Sequence, residues 1–403
     1  MISITQDEAR EYLFKYQNLY CPRRLESDEE ILTFIRKVGC IQYDPLSMTA
    51  RNADLVLQSR CRNYSKDTLY RLLYEKRQLL DGWDKCMSIW PVEDWPCFER
   101  KRKEFRKAYA EEDGALKPMR KEAISMIKRN GFISSRDIDN GKRIDWSWAR
   151  TSEARATLES MYHCGKLVVH HREGTRKYYG LSEDLLPSPI LNKRDPNRRM
   201  DDYNEWYVKR RVGSIGLLRN KASDAWLGCR FKRDDRNRAV KKLLDKEQIV
   251  EIQIAGIDEP FYLPQKATGI LNDNETANEA SLIAPLDNLI WDRKLIVKLF
   301  GFDYKWEVYT PVKKRKFGYY VLPIIYRNRF IGRCEPVMDS TNKCLLIKNW
   351  WWEKDVCVDQ DLKDALSRCF RDFAAFLGAE KIVISKALSR KKIGYLKACT
   401  ELG

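Results

Sequence analysis

The chain has 403 residues, more than one hydrophobic core usually holds, so two to four domains are expected. Lysine and arginine number 75 against 58 aspartates and glutamates, and the net charge of +17 favours a polyanionic partner, nucleic acid before an acidic membrane surface. With 33% charged residues and no apolar run longer than Tyr319 to Tyr326, no segment reads as a membrane span. The first ten residues lack the basic and apolar regions of a signal peptide, and twelve scattered cysteines form no C-x-x-C pair, so reduced thiols and a cytoplasmic location are expected.

Residues 1–117 read as mainly helical, with helix-like apolar spacing over Glu8–Leu19, Asp28–Val38 and Thr68–Leu73, and a divergent winged helix is expected there. Inside this region lies Cys40-Ile41-Gln42-Tyr43-Asp44-Pro45-Leu46-Ser47. Proline pushes the preceding residue into extended geometry, so Asp44 is extended. If Gln42 and Tyr43 are extended too, Gln42 and Asp44 face one side as a pair. A carboxamide and a carboxylate so placed can hold a water beside an electron-poor carbon. Asp followed by Pro is also a common helix start, and local pattern favours a cap with Pro45–Arg51 continuing as helix. The two roles coexist only if one carboxylate oxygen stays free. The basic run Arg100-Lys101-Arg102-Lys103 sits on a helix and reads as a solvated face.

The clearest module is 118–186. A helix over Met119–Asn130, a short second helix after Ser134-Ser135, a third over Ala149–Cys164 and a hairpin, Lys166–Arg172 and Arg176–Leu181, follow in winged-helix order. Its basic tip suits phosphate contact. His163, Cys164, His170 and His171 fit no zinc spacing, and no metal or cofactor is expected. After a Pro- and Arg-rich linker the order recurs over 198–270, with helices at Asp201–Leu218, Ala222–Leu227 and Asp234–Lys246 and a second hairpin. This wing carries Asp258 and Glu259 and is expected to pack, not to grip phosphate.

Beyond the polar loop Leu271–Thr276 the region 280–403 reads as strands at Trp306–Tyr309, Gly318–Tyr326, Arg329–Met338 and Lys343–Trp352. They suggest a small antiparallel sheet or barrel. Leu362, Leu366, Phe370, Phe373 and Leu377 mark a flanking helix capped by Gly378. The fold class is thus α+β: three tandem winged helices, then a barrel with flanking helices.

Two separated motifs carry a family resemblance. Gln42-Tyr43-Asp44-Pro45 with Thr49-Ala50-Arg51 and Leu55–Arg60 looks like the first signature of the winged-helix DNA glycosylases related to AlkZ and YcaQ. Ala284-Pro285-Leu286-Asp287-Asn288-Leu289-Ile290-Trp291-Asp292-Arg293, continuing through Phe300–Tyr304 and Glu307–Tyr309 to Lys316–Pro323, is similar to the second. The resemblance spans nearly the whole chain. It implies three winged helices and a barrel around a DNA channel, and removal of N-alkylated purines, including crosslinked ones. The family's catalytic motif falls on Gln42, Tyr43 and Asp44, and Asp at its last position resembles the YcaQ branch. Where many relatives place a histidine after the matching arginine, this chain has Asn52-Ala53-Asp54.

On this reading Asp44 stabilises an oxocarbenium-like sugar and activates water, while Gln42 orients it. No Schiff-base lysine stands out, so a monofunctional and monomeric enzyme is expected, acting on double-stranded DNA with alkylated or crosslinked purines and not on a membrane. Candidate DNA contacts are Arg51, Arg60, Arg172, Arg176, Lys177, Arg293, Lys313, Lys314 and Arg315. Arg51 and Arg293 could instead pair with Asp54 and with Asp287 or Asp292. Tyr319 and Tyr320 fit core packing better than base stacking. The competing readings are a winged-helix transcription regulator and a DNA-binding scaffold without catalysis, since fold alone does not decide function.

Overall fold

A computed structural model of the chain describes residues 2–19, 25–110, 113–146, 149–229, 231–273, 278–391 and 393–400, so Asn274–Thr276 of the expected polar loop lie outside the described residues. These residues pack into two units. The first takes in Met1–Thr68, Trp83–Ser88 and Asn204–Gly403, the second Leu69–Gly82 and Ile89–Tyr203. The units cut across the modules expected from sequence, because the hairpin Leu79–Trp83 and Met87–Pro91 gives its tip to the first unit and its base to the second.

The helix Met200–Ile215, which enters the first unit at Asn204, is followed there by a 3₁₀ turn Asp224–Trp226, the helix Arg233–Asp245 and the strands Ile249–Ile254 and Phe261–Pro264, in the expected order. The strand Leu218–Arg219 pairs with the second hairpin strand. The strand Ile2–Ile4 lies parallel to the first, Ile2 opposite Ile252. The acidic wing does pack. Buried Glu259 accepts ion pairs from Arg219 at 3.1 Å, Lys221 at 2.8 Å and Lys298 at 2.7 Å. Those donors outweigh desolvation and hold its carboxyl down at about 2.

The C-terminal part of this unit is an open half-barrel. Strands Ala280–Leu282, Leu322–Tyr326, Arg329–Asp339 and Cys344–Trp352 pair antiparallel, and Lys381–Ile384 adds in parallel, Cys344 opposite Lys381. A parallel neighbour requires a crossover, and the helix Gln360–Leu377 provides it. Its stripe of Leu362, Leu366, Phe370, Phe373 and Leu377 is buried, and Gly378, at φ +69°, ends it. The expectation of a purely antiparallel sheet or barrel is therefore corrected to an open mixed sheet. Nor is Trp306–Tyr309 a strand. Glu307 and its neighbours form a 3₁₀ turn, and the Glu307 carboxylate accepts the backbone N–H groups of Lys316 and Phe317, each at 2.8 Å. That bond set folds the segment into a loop, so the next strand starts at Leu322 rather than Gly318.

In the second unit, the helices Glu99–Ala108, Asp113–Asn130 and Glu153–His163 precede the hairpin Leu167–Glu173 and Arg176–Leu181. Ile133 bridges to Tyr179, giving the hairpin a short third partner. The expected second helix is a single turn, closed by Asp137, whose carboxylate accepts the Ser134 N–H at 2.6 Å and its hydroxyl at 2.9 Å. His163 stacks on Phe105 and its Nδ1 lies 3.0 Å from the Tyr109 hydroxyl, a core position.

Candidate active site

The conspicuous motif enters the first unit as the short strand Ile41–Gln42, and the Tyr43 N–H donates to the Met87 carbonyl at 2.9 Å. Pairing does not continue past Pro45, which has no N–H to give. Asp44 Oδ1 accepts the Leu46 N–H at 2.8 Å, a two-residue Asx turn. No helix follows: the next one is Asn52–Gln58. The Asp-Pro pair therefore caps a turn and not a helix, because Asn52 takes up the helix start instead.

Asp44 is half-buried. Its Oδ2 makes no hydrogen bond to a described residue. Burial pushes its carboxyl above the ordinary range, and the Leu46 N–H opposes the rise. The loop that follows is held by the half-barrel: Met338 N–H donates to the Met48 carbonyl at 3.4 Å, and buried Tyr320 reaches the Ala50 carbonyl at 3.5 Å. Tyr320 thus packs in the core, as its strand-like surroundings suggested.

Gln42 is buried, and its Oε1 accepts from Lys85 Nζ at 3.2 Å. An ammonium only donates, so this contact fixes the carboxamide with its oxygen towards Lys85 and Nε2 away from it. Nε2 makes no hydrogen bond to a described residue. Lys85 is itself buried, lies 4.9 Å from the Trp291 ring centroid, and is lowered by desolvation to about 8. Sequence reasoning missed this residue. The available signal was Asp84-Lys85 at the turn between two apolar runs, Leu79–Trp83 and Met87–Pro91.

The two separated motifs interlock. Asn52 Nδ2 donates to the Gln42 carbonyl at 2.8 Å, and its Oδ1 accepts the Leu286 N–H at 2.9 Å. Asn288 Nδ2 donates to the Cys40 carbonyl at 2.9 Å. Arg60 and Asp287, both fully buried, form a bidentate pair at 2.7 and 2.8 Å. Trp291 Nε1 closes back on the Leu286 carbonyl at 2.9 Å. Each link satisfies a buried polar group that would otherwise cost about 1–3 kcal/mol.

The basic candidates divide by environment. Arg60 is corrected to a strut, since Asp287, Gln17, Val56 and Ser59 consume its guanidinium. Arg172 is likewise turned inward, 2.5 Å from Asp81 within the second unit. Lys177 lies half-buried over the Tyr162 ring, and desolvation lowers it. Arg176 stands half-exposed and bonds the Tyr178 hydroxyl at 3.2 Å. Lys313 and Lys314 are exposed in a 3₁₀ turn beside exposed Tyr309 and Val312. Arg315 stacks on Tyr319, 4.9 Å from its centroid. Arg293 is half-buried over Tyr304, and of the two partners considered for it Asp287 pairs with Arg60 and Asp292 with Arg219 at 2.9 Å. Arg51 is half-buried; Asp54 feels its charge but hydrogen-bonds the Tyr64 hydroxyl at 2.9 Å.

The turn-held carboxylate and the lysine-anchored carboxamide thus lie in one unit of a strongly basic chain. The family model described as DNA glycosylase AlkZ-like matches residues 35–376, and the chain belongs to that family. Membership carries DNA binding and hydrolase chemistry on DNA with it. Among solved structures, the Streptomyces sahachiroi DNA glycosylase AlkZ shares the fold, with a TM-score of 0.62 and 12% identity over 95% of this chain and 100% of that one.

Proposed function

We propose that this protein is a monofunctional glycosylase that hydrolyses the N-glycosidic bond of N7- and N3-alkylated purines in duplex DNA, crosslinked ones included. It acts as a monomer in the cytoplasm, through three winged-helix modules. Its Gln-x-Asp motif aligns it with the YcaQ-like branch. An N7-alkylated guanine already carries positive charge and leaves readily, so no strong general acid is required. What the protein supplies is a carboxylate for the cation developing near C1′ and a base for the attacking water.

The observation that carries this reading is the state of Asp44: one oxygen held by the Leu46 N–H, the other without a hydrogen bond to a described residue. Gln42 complements it. With Oε1 fixed by Lys85, Nε2 donates to the water oxygen, leaving a lone pair for C1′ while Asp44 takes the proton. At about 4 Å and an effective dielectric of about 20 the carboxylate contributes roughly 4 kcal/mol, on the order of a thousandfold in rate.

The test is release of 7-methylguanine from methylated duplex. Asp44→Ala is expected to lose about three orders of magnitude in rate with DNA affinity little changed. Undiminished release by the variant removes Asp44 from the mechanism.

A further inference from the structure

The second unit contains a cleft of about 750 Å³ whose wall includes the helix Glu99–Ala108 and residues 191–198. Glu99, Arg102, Lys103 and Arg106 fall at i, i+3, i+4 and i+7, so one helical face meets the cleft. The run read from sequence as a solvated face therefore lines a concavity. Seven lysines and arginines face two carboxylates there.

Both carboxylates are already engaged. Glu99 pairs with Arg102 at 3.0 Å and with Arg106, while Asp195 Oδ1 accepts the Asn197 N–H at 2.8 Å. Lys103 and Arg194, both exposed, form no ion pair with a described residue. Two donors in the wall are buried without a hydrogen-bond partner among the described residues: Asn197 Nδ2 and Arg100 Nε. Arg102 lies buried with its guanidinium 3.9 Å from the Trp95 centroid and donates to the Trp95 carbonyl at 2.8 Å. Burial lowers it to about 10, and Glu99 opposes that fall. The cleft thus combines surplus positive charge with two exposed cations, Lys103 and Arg194, that form no ion pair with a described residue. An acceptor-rich anion answers both.

We infer that this cleft binds a phosphate-bearing anion, either a phosphodiester of the DNA strand or a free polyphosphate. The inference does not depend on base excision. Pyrophosphate is titrated by calorimetry at low salt into the full chain, the Lys103→Gln/Arg194→Gln variant and a Lys241→Gln/Arg371→Gln control that removes equal charge elsewhere. Binding weakened at least about tenfold in the first variant and kept in the control supports the site. Labelled duplex is then bound across a salt series. A slope of log affinity against log salt shallower by about two in the Lys103/Arg194 variant identifies the DNA backbone as the ligand. An unchanged slope with pyrophosphate binding lost identifies a free phosphate compound. Pyrophosphate binding equal in parent and variant overturns the inference.

Discussion

Replacing Lys85 with Met separates what this lysine does for the site from what it costs the fold. Its lowering from 10.5 to about 8 means that keeping it charged at neutral pH costs the folded state ~3 kcal/mol. The sign follows from proton counts. Between about 8 and 10.5 the unfolded chain binds the proton and the folded chain does not, so stability rises with pH through that window. Lys85→Met fills similar volume without charge and is expected to be at least as stable as the parent at pH 7. Its catalysis is expected to fall. The charge-assisted bond to Gln42 Oε1 is worth roughly 1.5–3 kcal/mol, and without it the carboxamide is free to flip, a loss of about 10- to 150-fold in base release. The parent should also lose rate above about pH 8, as neutral Lys85 ceases to fix the amide, and the variant should lack that limb. Single-turnover release of 7-methylguanine between pH 6 and 9.5, beside urea melts, reads all three. A variant with parental rate and the same alkaline limb would show that Lys85 does not set the orientation of Gln42.

Three further outcomes follow from the geometry. Burial raises the Asp44 carboxyl, so the acid limb of base release should lie above the ordinary aspartate value of about 3.9, and Asp44→Asn should abolish that limb without lowering stability at pH 7. Arg60→Leu strands the buried Asp287 carboxylate and should cost about 3–5 kcal/mol in urea unfolding; a cost within experimental error would mean the pair does not hold the two motifs together. Lys313→Gln with Lys314→Gln should make the salt slope of duplex binding shallower by about two, whereas Arg172→Ala should lower thermal stability and leave that slope unchanged.

Much of this was legible from residue order. The apolar stripe ending at Gly378, the helix–hairpin order of two modules and the packing role of Glu259 all follow from periodicity, turn residues and charge. The Gln42 and Asp44 motif stood out because proline restricts its neighbour. What was not legible depended on tertiary partners. A basic residue in a motif looks alike whether it faces DNA or a buried carboxylate, so Arg60 and Arg172 read as contacts until Asp287 and Asp81 were found against them. The strands Ile2–Ile4 and Lys381–Ile384 are too short to show a period, and each exists by adding in parallel to a longer neighbour. Lys85 belongs to no motif, and only the hairpin that carries it past Gln42 gives it meaning.

The bonds joining the neighbourhood of Gln42 to residues 286–288 have a bearing on how the chain is made. Arg60 and Asp287 are 227 positions apart. At the usual ~5–20 residues per second of translation, the ribosome needs roughly 10–45 s to pass from one to the other. For most of that interval Gln42 and Asp44 have the Lys85 and Leu46 that hold their side chains but lack Leu286 and Asn288, which tie Asn52 and Cys40 beside them. A nascent or truncated polypeptide can therefore hold both polar side chains without the frame that sets their backbone. That frame closes late in synthesis, when the second motif emerges and bonds to the first.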